Sequence, residues 1–202
     1  LRSPLAALKV QTDVAQLSQD DPQAREKALA QLHAGIDRAS RLVDQLLTLS
    51  RLDSLDNLDD VEPITLADLL QSAVLDIWHP AQQAGIDIRL NNHAPQVKRQ
   101  GQPLLLSLLV RNLLDNAIRY SPRGSVVDVT LDARSFSVRD NGPGVDPEVL
   151  ARIGERFYRP PGQNATGSGL GLSIVRRIAA LHGMRVSLSN AAEGGFEVKV
   201  SW

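Results

Sequence analysis

The sequence predicts an α+β chain: a helical hairpin that pairs with a second copy into a four-helix bundle, followed by a layer in which helices cover one face of a mixed sheet. Two observations carry this prediction. Residues 1–55 hold a single glycine, Gly35, and no aromatic side chain, and their apolar positions recur at helical spacing. From residue 64 the texture changes, and runs that alternate like strands stand beside one another and between helical runs. Strands adjacent in sequence, with helices interspersed, fit a layered α+β domain.

The elements follow in order. Leu1, Leu5, Leu8, Thr12 and Ala15 step by four and three along a first helix. In SQDDP, Asp21 suits an N-cap and Pro22 a first helical position. Beyond it Leu29, Ile36 and Val43 stand seven apart, as do Leu32, Ala39 and Leu46, and two interleaved sevenfold series make a coiled-coil seam. Two helices alone bury little, so the seam calls for a homodimer partner; the alternative is that it packs on the rest of this chain. The acidic stretch DSLDNLDDVEP at 53–63 reads as a linker or helix end. The division is therefore 1–55 for the hairpin, 56–63 for the linker and 64–202 for the second domain. In that domain Thr65 can cap a helix from Leu66 to about Gln83, and Ile86–Leu90 alternates like a strand. Gln102–Tyr120 is a strongly apolar helix. Ser125–Leu131 and Ser135–Arg139 form a strand pair, Leu170–His182 a further helix, and Val186–Ser189 with Phe196–Trp202 a closing hairpin around Glu193-Gly194-Gly195.

Composition narrows the function classes. Hydrophobic residues make up 43% and charged residues 22% of the 202, ordinary for a globular protein with a sizeable core. A net charge of −1 provides no global basic field for nucleic acid. The absence of cysteine excludes disulfides, thiolate zinc sites and thiol catalysis. No apolar run reaches the roughly 18 residues of a membrane span, and no signal peptide is visible. The first residue is Leu rather than Met, so the expectation is a piece of a longer chain.

Chemistry concentrates in three places. Asn112, Asn116, Arg119 and Tyr120, in RNLLDNAIRYS, share one face of the apolar helix. The amides either bridge buried backbone groups or make a ligand edge, since an Asn oxygen is a hard, neutral donor suited to Mg²⁺ beside phosphates. At 140–144 stands DNGPG, just after a strand, where Asp140 can accept from an amine while Gly142 and Gly144 let a flat ring approach. At 167–172 stands GSGLGL, running into a helix whose N-terminal N–H groups suit phosphate. Between them PEVLARIGERFYRPPGQNAT, with Arg152, Arg156 and Arg159, reads as a mobile cover.

Taken together these stretches resemble the sensor histidine kinases. NLLDNAIRYS resembles the family's N box, DNGPG its G1 box, ERFYR its F box and GSGLGLSIV its G2 box, all in the family's order. LRSPLAAL resembles the H box, so the resemblance spans nearly the whole chain. It implies an α/β-sandwich ATP-binding domain of the histidine kinase/gyrase/chaperone superfamily after a dimerisation and histidine-phosphotransfer hairpin. It implies ATP and Mg²⁺ as cofactors, with Asn116 on the metal and Asn112 and Arg119 near phosphates. Tyr120 would lie beside the nucleotide, and Asp140 would read the adenine amine between Gly142 and Gly144. Phe157 would anchor the lid, and Gly167, Ser168, Gly169, Leu170, Gly171 and Leu172 would form its hinge and the phosphate loop. It also implies a receiver-domain partner, the response regulator, and a membrane-anchored sensor of which this is the cytoplasmic portion.

One departure bears on catalysis. The family's H box reads Ser-His-Glu before Leu-Arg, so the phosphoacceptor His is expected two residues upstream of Leu1 and is absent from these 202 residues. His33 has no carboxylate next to it and no proline five residues on; His79, His93 and His182 each read as structural. Ser3, four after the expected His, either orients a water for dephosphorylating the regulator or is a small polar residue before Pro4. Three function classes remain: the kinase core, an ATPase of the same superfamily, and a non-catalytic dimeric scaffold. The ATPases place a Glu where Asn112 stands, and an amide cannot take a proton from water.

Overall fold

In the computed structural model, residues 2–17, 21–159, 167–191 and 194–202 are described, with the side chains of residues 2–5 and 7 excepted. Packing divides the chain into two compact units, Leu1–Thr48 and Leu49–Trp202.

The first unit contains α1 (Arg2–Leu17) and most of α2 (Pro22–Asp53). Asp21 caps α2: its Oδ1 accepts from the backbone N–H of Gln23 at 3.1 Å and of Ala24 at 3.0 Å. Pro22 takes the first helical position, where no N–H is needed. The two helices come close at Gly35, where a β-carbon would stand 2.7 Å from Leu8 Cδ2. The two sevenfold series differ in burial. Leu32, Ala39 and Leu46 are half-buried. Leu29, Ile36 and Val43 are 39%, 46% and 42% exposed in the single chain.

The second unit opens with the last turn of α2, where Leu49 and Leu52 are buried. It continues through β1 (Glu62–Thr65), α3 (Leu66–Ala84), β2 (Asp87–Asn92), β3 (Lys98–Gly101), α4 (Pro103–Tyr120), β4 (Val126–Asp132) and β5 (Ser135–Asp140). A short α5 (Pro147–Leu150), α6 (Gly171–Leu181), β6 (Arg185–Asn190) and β7 (Phe196–Ser201) complete it. The main sheet runs β2-β4-β5-β7-β6, with β2 parallel to β4 and every other pair antiparallel. Its register aligns Leu90, Val129, Val138, Val198 and Leu188 in one row and Leu131, Phe136, Val200 and Val186 in another. Helices α3, α4 and α6 pack together and against the sheet. Strand alternation puts Val127, Val129 and Leu131 fully inside and leaves the intervening residues half-buried.

Two features differ from the expectation. β1 and β3 pair antiparallel as a separate two-stranded sheet, and β1 begins at Glu62, inside the stretch read as linker. Four-residue strands such as EPIT and KRQG carry no alternating apolar signal. Thr65 does precede α3, but its side chain makes no capping bond.

Candidate functional site

Helix α4 is placed by its apolar residues: Leu106, Leu109, Val110, Leu113, Leu114 and Ala117 are buried and leave one polar edge. Asn112 on that edge is only 8% exposed, and its Nδ2 donates to the Leu108 carbonyl at 2.8 Å. That bond uses an amide N–H within the helix and involves no acceptor of the side chain. Oδ1 meets the start of α6. A β-carbon on Gly171 would stand 3.2 Å from Asn116 Nδ2 and 3.3 Å from both Asn112 Oδ1 and Asn116 Oδ1. One on Gly167 would stand 3.2 Å from both Arg119 Nη1 and Tyr120 Oη. The glycine loop therefore lies along the whole polar edge, and any side chain there would fill the space between them.

Gly169 holds the loop's bend. Its φ is +73°, and a β-carbon would be 2.8 Å from the Phe157 carbonyl carbon and from the Tyr158 oxygen, so both conformation and space require glycine. Phe157 N–H donates to the Gly169 carbonyl at 3.1 Å. Phe157 itself has φ +64° and a largely exposed ring. Ser168 Oγ accepts from Leu170 N–H at 3.1 Å, Leu170 is fully buried, and Leu172 is half-buried.

Asp140 ends β5 on the same face as Phe136 and Val138, opposite Val127, so its carboxylate enters the helix-covered side of the sheet. It is 6% exposed. Oδ1 accepts from Gly142 N–H at 2.9 Å and Phe196 N–H at 3.1 Å. Neither bond uses Oδ2. The loop after it is tied at both ends: Asn141 Oδ1 accepts from Val126 N–H at 2.9 Å, and Val145 bonds to Asn190. A β-carbon on Gly142 would be 3.6 Å from the Tyr120 carbonyl, which joins this loop to the end of α4. Gly195, at φ +94°, presses against the Asp140 backbone and leaves no room for a side chain.

In the segment read as a cover, residues 160–166 lie outside the described residues. In the part before them, the Arg152 guanidinium stacks 4.2 Å over the Tyr158 ring and Arg156 Nη2 pairs with Asp53 Oδ1 at 2.8 Å. Arg177 of α6 donates to the carbonyls of Leu52 at 3.0 Å and Leu55 at 2.7 Å, covering the open end of α2. Asp115, on the flank of the edge, has its carboxyl pushed above the usual range by burial, against the lowering effect of Arg111 and Arg119.

The structure thus links Asn112, Asn116, Arg119, Tyr120, Asp140, Gly142, Phe157, Gly167, Gly169 and Gly171 through direct neighbours. Gly144 sits at the loop's exit, beside Asn190. The side chain of Ser3 lies outside the described residues. His33 is exposed and bonds its own helix at the Leu29 carbonyl, and His93 pairs with Asp132 on the surface. His182 is buried: Nδ1 faces the Ile178 carbonyl at 2.8 Å and Nε2 accepts from Gln102 N–H at 3.1 Å. Burial lowers its pKa, partly offset by the Ile178 bond. Asn190 and Arg177 were missed from sequence, because neither belongs to a motif or a periodic pattern.

Comparison with known proteins fits this geometry. Residues 101–202 match the family described as histidine kinase-, DNA gyrase B- and HSP90-like ATPase. Residues 1–55 match the His Kinase A (phospho-acceptor) domain. The chain is 80% identical over 202 residues to the sensor protein QseC of Salmonella typhimurium, covering all of this chain and 45% of that protein. It is similar to the solved cytoplasmic segment of histidine kinase QseC at 64% identity, covering 83% of this chain and 93% of that one, with a TM-score of 0.61. It is also similar to full-length ShkA in complex with AMPPNP, at 26% identity, 97% and 44% coverage and a TM-score of 0.73.

Proposed function

The chain belongs to the sensor histidine kinase family, and from that premise we propose that it is the ATP-dependent protein-histidine kinase core of a two-component sensor. The observation that carries the reading is the glycine loop laid along the Asn112–Tyr120 edge, with Asp140 entering the same covered side of the sheet. Asp140 Oδ2 would accept from the adenine amine while Oδ1 stays bonded to the backbone. Gly142 and Gly144 would admit the ring, and Tyr120 would wall it. The N–H groups at the start of α6, with Arg119, would hold the phosphates. The AMPPNP bound to ShkA supports a nucleotide here by analogy.

The donors fit Mg²⁺ as a companion of the nucleotide. Asn112 and Asn116 offer hard amide oxygens, and among the described residues no three His, Asp or Glu side chains converge into a metal cage of their own. In this reading Asn116 is the metal ligand, and the ion neutralises phosphate charge when bound. The Asn112 amide is too weak a base to take a proton from water, which favours transfer to an imidazole over hydrolysis.

The acceptor would be a histidine preceding Leu1, and the phosphoryl group would pass on to an Asp of a response-regulator receiver domain, with its later removal the role assigned to Ser3. We assign 1–55 to the dimerising and phosphotransfer hairpin, 56–63 to a linker and 64–202 to the ATP-binding domain. The homodimer seam would be the exposed Leu29, Ile36 and Val43 series. No described helix is long and apolar enough to cross a membrane; the full-length protein would be anchored by segments beyond this sequence, with this core on the cytoplasmic side of the inner membrane.

Radiolabelled ATP tests the proposal. Residues 1–202 should bind ATP without labelling themselves, and extension by a segment ending in His-Glu before Leu1 should restore an acid-labile, base-stable label that a receiver Asp accepts. Strong labelling of the shorter chain at His33 or any other residue would overturn the assignment.

A further inference from the structure

We propose that Asn190 is a positioning residue for the nucleotide, setting the exit of the DNGPG loop so that Asp140 and Gly142 meet the base in register; the proposal rests on the nucleotide reading of that site. Asn190 is the last residue of β6, 45 residues from the loop in sequence. Its Oδ1 accepts from Val145 N–H at 2.8 Å and its Nδ2 donates to the Val145 carbonyl at 2.6 Å. One amide side chain thus takes both backbone groups of one residue, as a neighbouring strand would. The two partners also decide the amide's orientation, since the oxygen must face the N–H. Oδ1 further stands 3.0 Å from where a β-carbon on Gly144 would be, so the contact pins the left-handed Gly144 (φ +75°) as well.

The rest of the loop explains why one residue matters here. Its entry is held by Asn141 against Val126, and Asp140 is held by Gly142 and Phe196. Among the described residues, Asn190 is the side chain that ties the loop to the sheet between Gly142 and the short α5, and past that point the chain leaves for the cover segment. The turn that carries Asn190 is joined to the same place from the other side. Phe196, its partner in the β6–β7 register, donates to Asp140, and Ala191 N–H bonds to Gly195, which backs onto Asp140. Asn190 and Asp140 therefore sit on two branches of one hairpin-to-loop junction. Loosening the first should let the glycines move relative to the carboxylate, which spoils base recognition without touching the phosphate end.

Calorimetry with ADP and GDP on the full chain tests this, using Asn190→Ala, Asn190→Asp and, as reference, Asp140→Asn, together with hydrogen exchange at the Val145 amide. Asn190→Ala should weaken ADP by roughly two- to tenfold, the span of one net hydrogen bond. It should also lower the ADP-to-GDP preference and speed exchange at Val145, while the unliganded melting temperature moves little because Asn190 is exposed. Asn190→Asp keeps the acceptor for Val145 N–H but sets a carboxylate against the Val145 carbonyl, so it should not rescue binding. This near-isostere carries the test if the alanine variant melts too low. Unchanged ADP affinity and base preference in both variants, with Asp140→Asn weakened, would overturn the role of Asn190 alone. Unchanged affinity in Asp140→Asn as well would overturn it together with the nucleotide reading.

Discussion

Helices α2 and α4 each break the rule of apolar inside and polar outside, but in opposite directions. On α2, Leu29, Ile36 and Val43 stand exposed on the single chain. On α4, Asn112 is buried, and Asp140 lies buried at the end of the neighbouring strand. The consequences differ because the two errors have different remedies. A buried polar group needs only hydrogen bonds, and these are half supplied from within: Asn112 Nδ2 by Leu108, Asp140 Oδ1 by Gly142 and Phe196. The other half, Asn112 Oδ1 and Asp140 Oδ2, is what the nucleotide and its metal would engage in the proposed function. An exposed apolar row has no internal remedy, since only another surface removes it from water. The α4 region should therefore fold alone and await a small molecule, whereas the α2 face should await a second chain.

The largest expected effect breaks the α2 side. Ile36→Lys with Val43→Lys would bury two unpaired ammonium groups in any bundle, at roughly several kcal/mol. Sedimentation should fall to the monomer mass while ADP binding by the second unit stays intact. An unchanged mass would place the seam elsewhere.

The α4 side gives the next effect. Asp140→Asn keeps an oxygen for Gly142 and Phe196 but points an NH₂ at the ligand's amine. ADP should weaken by roughly 1–3 kcal/mol with the melting temperature nearly unchanged. Equal affinity in mutant and wild type would remove Asp140 from base recognition. Gly171→Ala is milder: its methyl would sit 3.2–3.3 Å from both asparagine amides. A loss of about 1 kcal/mol in Mg-ATP affinity is expected from crowding, and a gain or no change would show that the edge has slack.

His182 sharpens the point that buried polar groups are satisfied in one state only. Its Nε2 accepts from Gln102 N–H, so the proton sits on Nδ1 and the neutral ring is fully bonded. Its folded pKa lies below the ordinary 6.5, because burial opposes the charge. The unfolded chain then binds more protons in that window. Its contribution is complete above about pH 6.5 and is lost as pH falls towards the folded value. Melting curves between pH 5 and 8 should show this slope, and His182→Gln should flatten it; an unflattened slope would assign it to other groups. The smallest effect belongs to the Arg156–Asp53 pair, whose side chains are 53% and 37% exposed. Asp53→Asn should cost about 0.5 kcal/mol in thermal stability at most, and a loss of several would mean that Asp53 anchors more than a surface contact.

Much of this was legible from residues close together in the chain. The Asp21–Pro22 start of α2, helices α3, α4 and α6, and the β4–β5 and β6–β7 hairpins follow from caps, spacing and turns, because those forces act within a few residues. The glycines and the α4 asparagines were visible as misfits in their own segments. Strands β1 and β3 escaped because they are short and polar and are defined by each other across about 30 residues of chain.

What the sequence alone determined was which pieces form and which residues are chemically out of place. Only the tertiary structure decided their partners: that β2 lies parallel to β4, that Gly171 rests on Asn112 and Asn116, that Asp140 opens onto the helix side, and that Asn190 holds Val145. Periodicity and capping are local free-energy preferences that a sequence states directly. Contacts between residues 45 or 55 apart are chosen instead by sheet register and by the packing of whole elements, where a one-residue shift turns every side chain to the other face.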